Sequence, residues 1–119
     1  MKRVMVADDD FILTKLYQMH FRRHGIEGEF FTEGGMLLEA AKANPPDAVI
    51  LDYELPDLHG PEVMERLHGQ AGCEAVPVVF VTARADEALE DELVGKGARR
   101  VLGKPFAPAE LIGALETGS

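Results

Sequence analysis

The sequence predicts one α/β domain in which a parallel β-sheet is covered by helices on both faces. Short apolar runs alternate with longer amphipathic segments, and this alternation is typical of a doubly wound sheet with right-handed crossovers. The 119 residues are enough to bury a core of ordinary size. Hydrophobic residues make up 46% and charged residues 28% of the chain, which favours an ordered globular protein over a disordered one.

The first part of the chain predicts a strand, a helix and a second strand. Val4–Ala7 is a short apolar run that ends in acids, and Ile26–Phe31 is a more polar run that we expect nearer an edge of the sheet. Between them, Phe11–His24 has the spacing of an amphipathic helix and stops before a glycine. Its apolar or aromatic positions at helical spacing include Leu13, Leu16, Tyr17 and His20.

The middle of the chain predicts a buried strand between two helices. Met36–Ala43 is a short helix that Asn44, Pro45 and Pro46 stop, and Ala48–Leu51 is apolar throughout, as expected of a strand covered on both faces. Tyr53–Gly60 contains proline and glycine and is predicted to be a loop. Proline at the first position of Pro61–Gln70 suits the start of the next helix.

The last part of the chain repeats this order twice. Val76–Val81 is the most β-branched run and is predicted to be an interior strand. Glu87–Val94 is a helix with leucines on one side and acids largely on the other. Ala98–Leu102 and Pro108–Glu116 are the fifth predicted strand and helix.

Charge and composition exclude several classes of function. Twenty-one acids against twelve bases give a formal net charge of −9, so the domain is a poor candidate for binding nucleic acid. A single cysteine, Cys73, excludes an intramolecular disulfide and a zinc site built from cysteines. No apolar run reaches the roughly 18–20 residues of a membrane span, and acids interrupt the N-terminal run before a signal peptide forms. We expect a cytoplasmic protein.

The polar residues that end the predicted strands fall at one edge of the sheet. Asp8 and Asp9 follow the first strand, Asp52 the third, Thr82 the fourth and Lys104 the fifth. These are all carboxyl ends of parallel strands, where open α/β sheets bind their ligands. We therefore predict that these five side chains share one site.

The residue types at this edge favour phosphoryl chemistry on a metal ion. Carboxylates about 4 Å apart repel each other by roughly 4 kcal/mol at an effective dielectric of 20, so three of them need protons, a cation or Lys104. Oxygen ligands without histidine or thiolate favour magnesium or manganese over zinc. A carboxylate is also a nucleophile toward phosphorus. Composition does not select the nucleophile, but Asp52 is the strongest candidate because it ends the central buried strand.

Together these residues resemble the receiver domain of two-component response regulators, as in chemotaxis regulators, over essentially the whole chain. The segment from Asp52 to Gly60, DYELPDLHG, fits the family pattern D-x-x-[ML]-P-x-x-x-G. Asp8-Asp9 matches the acidic pair, Val81-Thr82-Ala83 the threonine step and Lys104-Pro105-Phe106 the lysine step. The resemblance implies a flavodoxin-like (βα)5 fold with strand order 2-1-3-4-5 and residues 1–119 as a single receiver domain.

The resemblance also implies the role of each site residue. Asp52 accepts a phosphoryl group from a phosphohistidine of a sensor histidine kinase or a histidine phosphotransfer protein. Magnesium or manganese is held by Asp9 directly, by Asp8 through water, and by Asp52 and the backbone carbonyl of Glu54. Thr82 and Lys104 bind the phosphoryl oxygens.

Further implications concern the backbone and the output. The Lys104–Pro105 peptide is expected to be cis. Phosphorylation shifts the conformation of the face formed by the fourth helix, fifth strand and fifth helix, through which an effector or a second copy binds. The domain catalyses only its own phosphorylation and dephosphorylation.

The sequence departs from the family pattern near the site. Val101 stands where the family often has a tyrosine or phenylalanine that couples to the threonine step, and Glu54 and Arg84 occupy positions that tune dephosphorylation. Asp10 adds a third acid after the first strand, which we interpret mainly as a helix cap.

Three alternatives stay open from the sequence. A pseudo-receiver keeps the fold and binds partners without phosphorylation. A phosphatase of the haloacid dehalogenase type needs D-x-D-x-T after the first strand, but this chain has Ile12 at the threonine position. A flavodoxin-like cofactor carrier needs a phosphate-binding loop where this chain has three acids.

Overall fold

The computed structural model describes residues 2–116 and contains a five-stranded parallel sheet with the order β2-β1-β3-β4-β5. The strands are β1 (Lys2–Ala7), β2 (Ile26–Phe31), β3 (Ala48–Asp52), β4 (Val78–Thr82) and β5 (Arg100–Gly103). The helices are α1 (Phe11–Arg23), α2 (Gly34–Ala43), α3 (Gly60–His68), α4 (Glu87–Gly95) and α5 (Pro108–Glu116). The predicted doubly wound (βα)5 fold is confirmed.

Two hydrophobic clusters cover the two faces of the sheet. One contains side chains of α2, α3 and α4, and the other contains side chains of α1 and α5. Every residue of β3 and β4 is buried, as the apolar runs predicted, and the more polar β2 lies at the edge. Within the described ranges, no helix is long and apolar enough to cross a membrane.

Two predicted strands begin later than the apolar runs that predicted them. Val76 is in a turn, where its N–H donates to the carbonyl of Cys73, and Pro77 has no N–H to donate to a neighbouring strand. β4 therefore begins at Val78. Similarly, β5 begins at Arg100 rather than at Ala98, whose N–H closes the end of α4 on the carbonyl of Leu93.

Helix α2 begins two residues earlier than predicted because a distant side chain caps it. Asp57, in the loop after β3, accepts hydrogen bonds from the N–H of Gly34 at 2.9 Å and of Gly35 at 2.8 Å. The N-cap residue Glu33 makes no side-chain hydrogen bond of its own. Desolvation acts to raise the pKa of Asp57, but these backbone donors outweigh it and hold the pKa below its ordinary value. Asp57 thus ties the loop of the candidate site to α2.

The first stability prediction concerns this cap. Asp57→Ala removes both acceptors, so we expect the free energy of unfolding to fall by about 1 kcal/mol, the usual effect of losing a helix cap. Urea unfolding at neutral pH measures it. Asp57→Asn keeps one acceptor oxygen and serves as the control, with an intermediate loss. Equal stabilities for all three proteins would contradict the capping role.

The buried face of α1 differs in part from the prediction. Tyr17 and Phe21 are the buried residues of this helix, each 1% exposed, and Leu13 packs against the same cluster. Leu16, which is at helical spacing with Leu13 and His20, is 44% exposed. The inward face therefore follows positions 13, 17 and 21 at intervals of four residues.

Candidate functional site

Three carboxylates converge where β1 and β3 end. One oxygen from each of Asp8, Asp9 and Asp52 can be chosen so that all three atoms lie within 4.8 Å of one another. Asp8 is 3% exposed and Asp52 is 8% exposed, whereas Asp9 is open to solvent. The backbone at the end of β1 positions Asp8, because the N–H of Asp8 donates to the carbonyl of Phe31 on β2 and so extends the hydrogen bonding between the two strands.

Lys104 supplies a positive charge to two of these acids. Its Nζ lies 3.1 Å from Asp52 Oδ2, to which it donates a hydrogen bond, and 3.3 Å from Asp8 Oδ2. The second contact lacks hydrogen-bond alignment, so we treat it as an ion pair. The backbone N–H of Lys104 donates to the carbonyl of Thr82 at 2.7 Å. The Lys104–Pro105 peptide is cis, as the resemblance implied.

Burial and charge together set the protonation of this site. Desolvation raises the pKa of Asp8 to about 6, and the neighbouring Asp52 adds to this rise, while the N–H of Asp10 and the Lys104 ammonium oppose it. Desolvation alone would lower the pKa of Lys104, but attraction to Asp8 and Asp52 outweighs it and holds that pKa above its ordinary value. The lysine is therefore a permanent cation beside Asp52.

Backbone donors orient the buried acids. Asp8 Oδ1 accepts from the N–H of Asp10 at 2.9 Å, and Asp52 Oδ1 accepts from the N–H of Glu54 at 3.2 Å. Asp10 itself caps α1 by accepting from the N–H of Leu13 at 3.0 Å, which confirms its interpretation as a helix cap. Each buried carboxylate thus keeps its second oxygen directed to Lys104.

The opposite wall of the site belongs to β4 and the segment after it. Thr82 is 7% exposed at the end of β4, and its Oγ1 accepts from the N–H of Arg84 at 3.2 Å. The open cleft between the walls has a volume of about 620 Å³. Its lining residues are Asp9, Asp52, Tyr53, Glu54, Thr82, Ala83, Arg84, Asp86, Leu89 and Lys104.

The loop between β3 and α3 is closed on itself beside Asp52. Glu54 and His59 form an isolated antiparallel bridge, and the rings of Tyr53 and His59 meet edge to face with centroids 4.5 Å apart. The N–H of Gly60 donates to the carbonyl of Tyr53 at 2.9 Å. This closure holds Glu54 on the rim of the cleft, so its backbone is part of the site.

The structure brings all the predicted side chains to one edge of the sheet. Asp8, Asp9, Asp52, Thr82 and Lys104 surround the cleft or lie directly beneath it, as their positions after successive strands suggested. Their chemical roles remain predictions. Sequence reasoning missed two features, the cap by Asp57 and the burial of the Tyr17 hydroxyl without a hydrogen bond. A proline–aspartate pair in a loop was the only available signal for the first.

The donor set fits a hard divalent cation. Asp8 Oδ2 is buried and lies 3.3 Å from Lys104 Nζ, but it accepts no hydrogen bond among residues 2–116, and buried polar atoms normally accept one. The three converging ligands are all carboxylate oxygens, which magnesium and manganese prefer. The residues present therefore suit the ion that the resemblance implied.

The ionised form of Asp8 is expected to cost stability when no metal is bound. Its pKa is about 6 in the folded protein against an ordinary value of 3.8, so the cost is absent below the ordinary pKa and complete above the raised one. We therefore expect Asp8→Asn to raise the free energy of unfolding at about pH 8 by on the order of 2 kcal/mol. Urea unfolding with a chelator present measures this effect.

The pH dependence provides the control. At about pH 4 wild-type Asp8 is already largely protonated in the folded state, so the advantage of Asp8→Asn should shrink there. Asp91→Asn removes one carboxylate from the exposed side of α4 and should change stability little at either pH. If Asp8→Asn were less stable than wild type at about pH 8, ionised Asp8 would not destabilise the folded protein and this explanation would be wrong.

Comparison with known proteins agrees with this geometry. Residues 4–116 match the family model described as the response regulator receiver domain. The chain is 34% identical over 113 residues to the DNA-binding response regulator MtrA of Mycolicibacterium paratuberculosis, covering 93% of this chain and 48% of that protein. It is 36% identical over 115 residues to the transcriptional regulatory protein CreB of Escherichia coli, covering 95% and 48%. The chain thus spans about half the length of these relatives.

A solved structure shares the fold. The receiver domain of the sensor histidine kinase PA1611 of Pseudomonas aeruginosa, with a magnesium ion in its active-site cleft, has a TM-score of 0.86 and 24% identity, covering 96% of this chain and 93% of that one. The alternatives of a phosphatase and a cofactor carrier are not favoured, and Ile12 is 75% exposed on α1 rather than directed to the acids. The chain belongs to the receiver domain family of two-component response regulators.

Proposed function

We propose that this chain is the phospho-accepting switch of a two-component or phosphorelay pathway, with Asp52 as the phosphoacceptor. The observation that carries this proposal is the position of Asp52, nearly buried at the end of the central strand with one oxygen bonded to Lys104 and open to the cleft. The donor is a phosphohistidine on a sensor histidine kinase or a histidine phosphotransfer protein. We further propose that residues 1–119 act as one receiver domain in the cytoplasm.

The transfer joins Asp52 to phosphorus and releases the histidine. A carboxylate oxygen of Asp52 attacks phosphorus, the phosphorus–nitrogen bond breaks with its electron pair going to nitrogen, and the imidazole takes up a proton. Lys104 Nζ, 3.1 Å from the carboxylate, neutralises charge on the transferred group. Thr82 Oγ1 already accepts from the N–H of Arg84, which leaves its hydroxyl proton to donate to a phosphoryl oxygen.

Magnesium or manganese is the cofactor of this reaction in our proposal. The carboxylates of Asp8, Asp9 and Asp52 and the backbone carbonyl of Glu54 would hold the ion, which when bound neutralises the phosphoryl oxygens. The three converging acids, and the buried Asp8 Oδ2 that has an ion pair but no hydrogen bond, support this assignment. The magnesium ion in the Pseudomonas receiver domain is a further argument for magnesium.

The test is chemical phosphorylation without a kinase. Incubation with acetyl phosphate and magnesium should add one phosphoryl group, detected by intact-mass spectrometry and removed by hydroxylamine, as expected of an acyl phosphate. A chelator should prevent the gain. A gain that is independent of divalent metal would contradict the metal assignment, and a group stable to hydroxylamine would contradict an acyl phosphate.

The response is expected to depend on Lys104. Lys104→Ala removes the cation beside Asp52 and Asp8, so the protein should fold, but phosphorylation should no longer change its conformation. Amide chemical shifts in α4, β5 and α5, recorded before and after treatment with beryllium fluoride as a phosphoryl mimic, measure this. Lys96→Ala, which removes an exposed lysine paired with Glu92 at 3.4 Å, is the control. An unchanged response in Lys104→Ala would remove the lysine from the mechanism.

We propose that the output face comprises α4, β5 and α5, where a downstream effector or a second copy binds. Val101 is 5% exposed on β5, and this face has valine at the position where the family often has an aromatic side chain. Acids dominate the exposed side of α4, which makes nucleic acid an unsuitable partner for this face. The domain turns over no external metabolite and catalyses only its own modification.

A further inference from the structure

Two buried polar atoms near the base of the site make no hydrogen bond, although one of them, Asp8 Oδ2, has an ion pair with Lys104 Nζ at 3.3 Å. Among the described residues 2–116, the Tyr17 hydroxyl and Asp8 Oδ2 are the buried side-chain oxygen or nitrogen atoms without a hydrogen bond. One is a donor and the other an acceptor, so they are chemically complementary. Groups of this kind are nearly always satisfied, by protein or by ordered water.

The ring of Tyr17, a residue of α1, is packed against the segment that carries Lys104. Tyr17 is 1% exposed, and its ring stacks on Phe21 of α1 and on Phe106, each with centroids 6.0 Å apart. Phe106 follows Lys104 by two residues. These contacts fix the ring beside the segment that carries Lys104, whose Nζ lies 3.3 Å from Asp8 Oδ2.

Burial and the nearby acids both favour the protonated form of the Tyr17 hydroxyl. Burial raises the pKa of Tyr17 far above its ordinary value, and the charges of Asp8, Asp52 and Asp10 raise it further. The phenol therefore keeps its proton at every physiological pH and is available as a donor. None of the proposed phosphoryl-transfer steps uses this hydroxyl as a donor.

We propose that Tyr17 is a positioning residue of the acidic site, whose hydroxyl donates through buried water to the carboxylate of Asp8 and holds it in the orientation that binds a divalent cation. This inference rests on the proposed metal site. Groups that hydrogen-bond a metal ligand from behind fix its orientation and strengthen metal binding. Tyr17 thereby makes the metal affinity depend on how α1 is seated against the sheet.

Tyr17→Phe tests the hydroxyl while the stacked ring is kept. We expect magnesium, titrated calorimetrically into the whole chain, to bind about tenfold more weakly to this variant than to wild type. Phe21→Leu is the matched control, because it disturbs the same aromatic stack but leaves the hydroxyl. It should lower stability to urea without the tenfold loss of metal affinity.

A spectroscopic measurement keeps the inference falsifiable if Tyr17→Phe folds poorly. The chain has two tyrosines, so Tyr17 is the only one left in Tyr53→Phe. Magnesium should then change the near-ultraviolet difference spectrum of Tyr17, because the carboxylate to which its hydroxyl is linked then lies beside a bound cation. An unchanged spectrum, or equal magnesium affinity with and without the hydroxyl, would overturn the role of Tyr17 but would leave the proposed metal site intact. A wild-type protein that binds no magnesium would overturn the proposed metal site as well.

Discussion

Asp52→Asn is expected to abolish phosphorylation by acetyl phosphate while the domain stays folded. The amide keeps the shape of the side chain and an oxygen that can accept from the N–H of Glu54, but it is not a nucleophile that forms an acyl phosphate. Loss of one carboxylate from the converging acids also relieves repulsion, so stability should not fall. Intact-mass spectrometry after incubation with magnesium measures the modification, and urea unfolding measures the stability.

A control separates this effect from the loss of a negative charge. Asp91→Asn removes an acid from the exposed side of α4, away from the cleft lining, and should be phosphorylated at the wild-type rate. Modification of Asp52→Asn at a comparable rate would show that another residue is the acceptor. The assignment of Asp52 as the phosphoacceptor would then be wrong, whereas the fold and the family would be unaffected.

The largest expected effect on stability comes from Gly60→Ala. Gly60 begins α3 at the end of the loop that follows Asp52. A Cβ there would lie 2.7 Å from the carbonyl oxygen of Asp52, 2.9 Å from that of Tyr53 and 2.9 Å from the ring of Phe80. Two of these contacts are with backbone, which cannot move without displacing the strand end. We expect a loss of about 3 kcal/mol in the free energy of unfolding, measured with urea.

A second glycine-to-alanine change provides the comparison. Gly113 lies inside α5, and a Cβ built there meets nothing within 4 Å. Gly113→Ala should therefore stabilise the protein by roughly 0.5–1 kcal/mol, the ordinary gain of alanine over glycine in a helix. If both substitutions changed the free energy of unfolding by similar amounts, the steric explanation for Gly60 would be wrong. The loop beside Asp52 would then be able to move to make room for a Cβ.

The fold and the cluster of site residues could be predicted because both follow from local pattern. Five apolar runs, each followed by an amphipathic segment, determine a parallel sheet. The carboxyl ends of parallel strands share one edge, so Asp8, Asp52 and Lys104 had to meet there despite their separation in sequence. No detailed knowledge of side-chain contacts was needed for either step.

The parts that could not be predicted depend on contacts between distant segments. The start of α2 is set by Asp57, more than twenty residues away, which no local capping signal reveals. Leu16 and Tyr17 were both at helical spacing in the sequence, and only the packing of α1 on the sheet decides that Tyr17 is buried while Leu16 is exposed. The Tyr17 hydroxyl appears in the sequence as part of an aromatic core residue, and only the tertiary structure shows that it is buried without a hydrogen bond.

The most direct test of the central claim is to locate the phosphoryl group on the wild-type chain. Borohydride reduction of the acetyl phosphate-treated protein converts an aspartyl phosphate to homoserine, which tandem mass spectrometry of the peptides then places. We predict homoserine at Asp52 and only when magnesium is present during phosphorylation. Homoserine at Asp8 or Asp9 instead, or a phosphoryl group on a residue outside the cleft, would contradict the assignment of Asp52 as the phosphoacceptor.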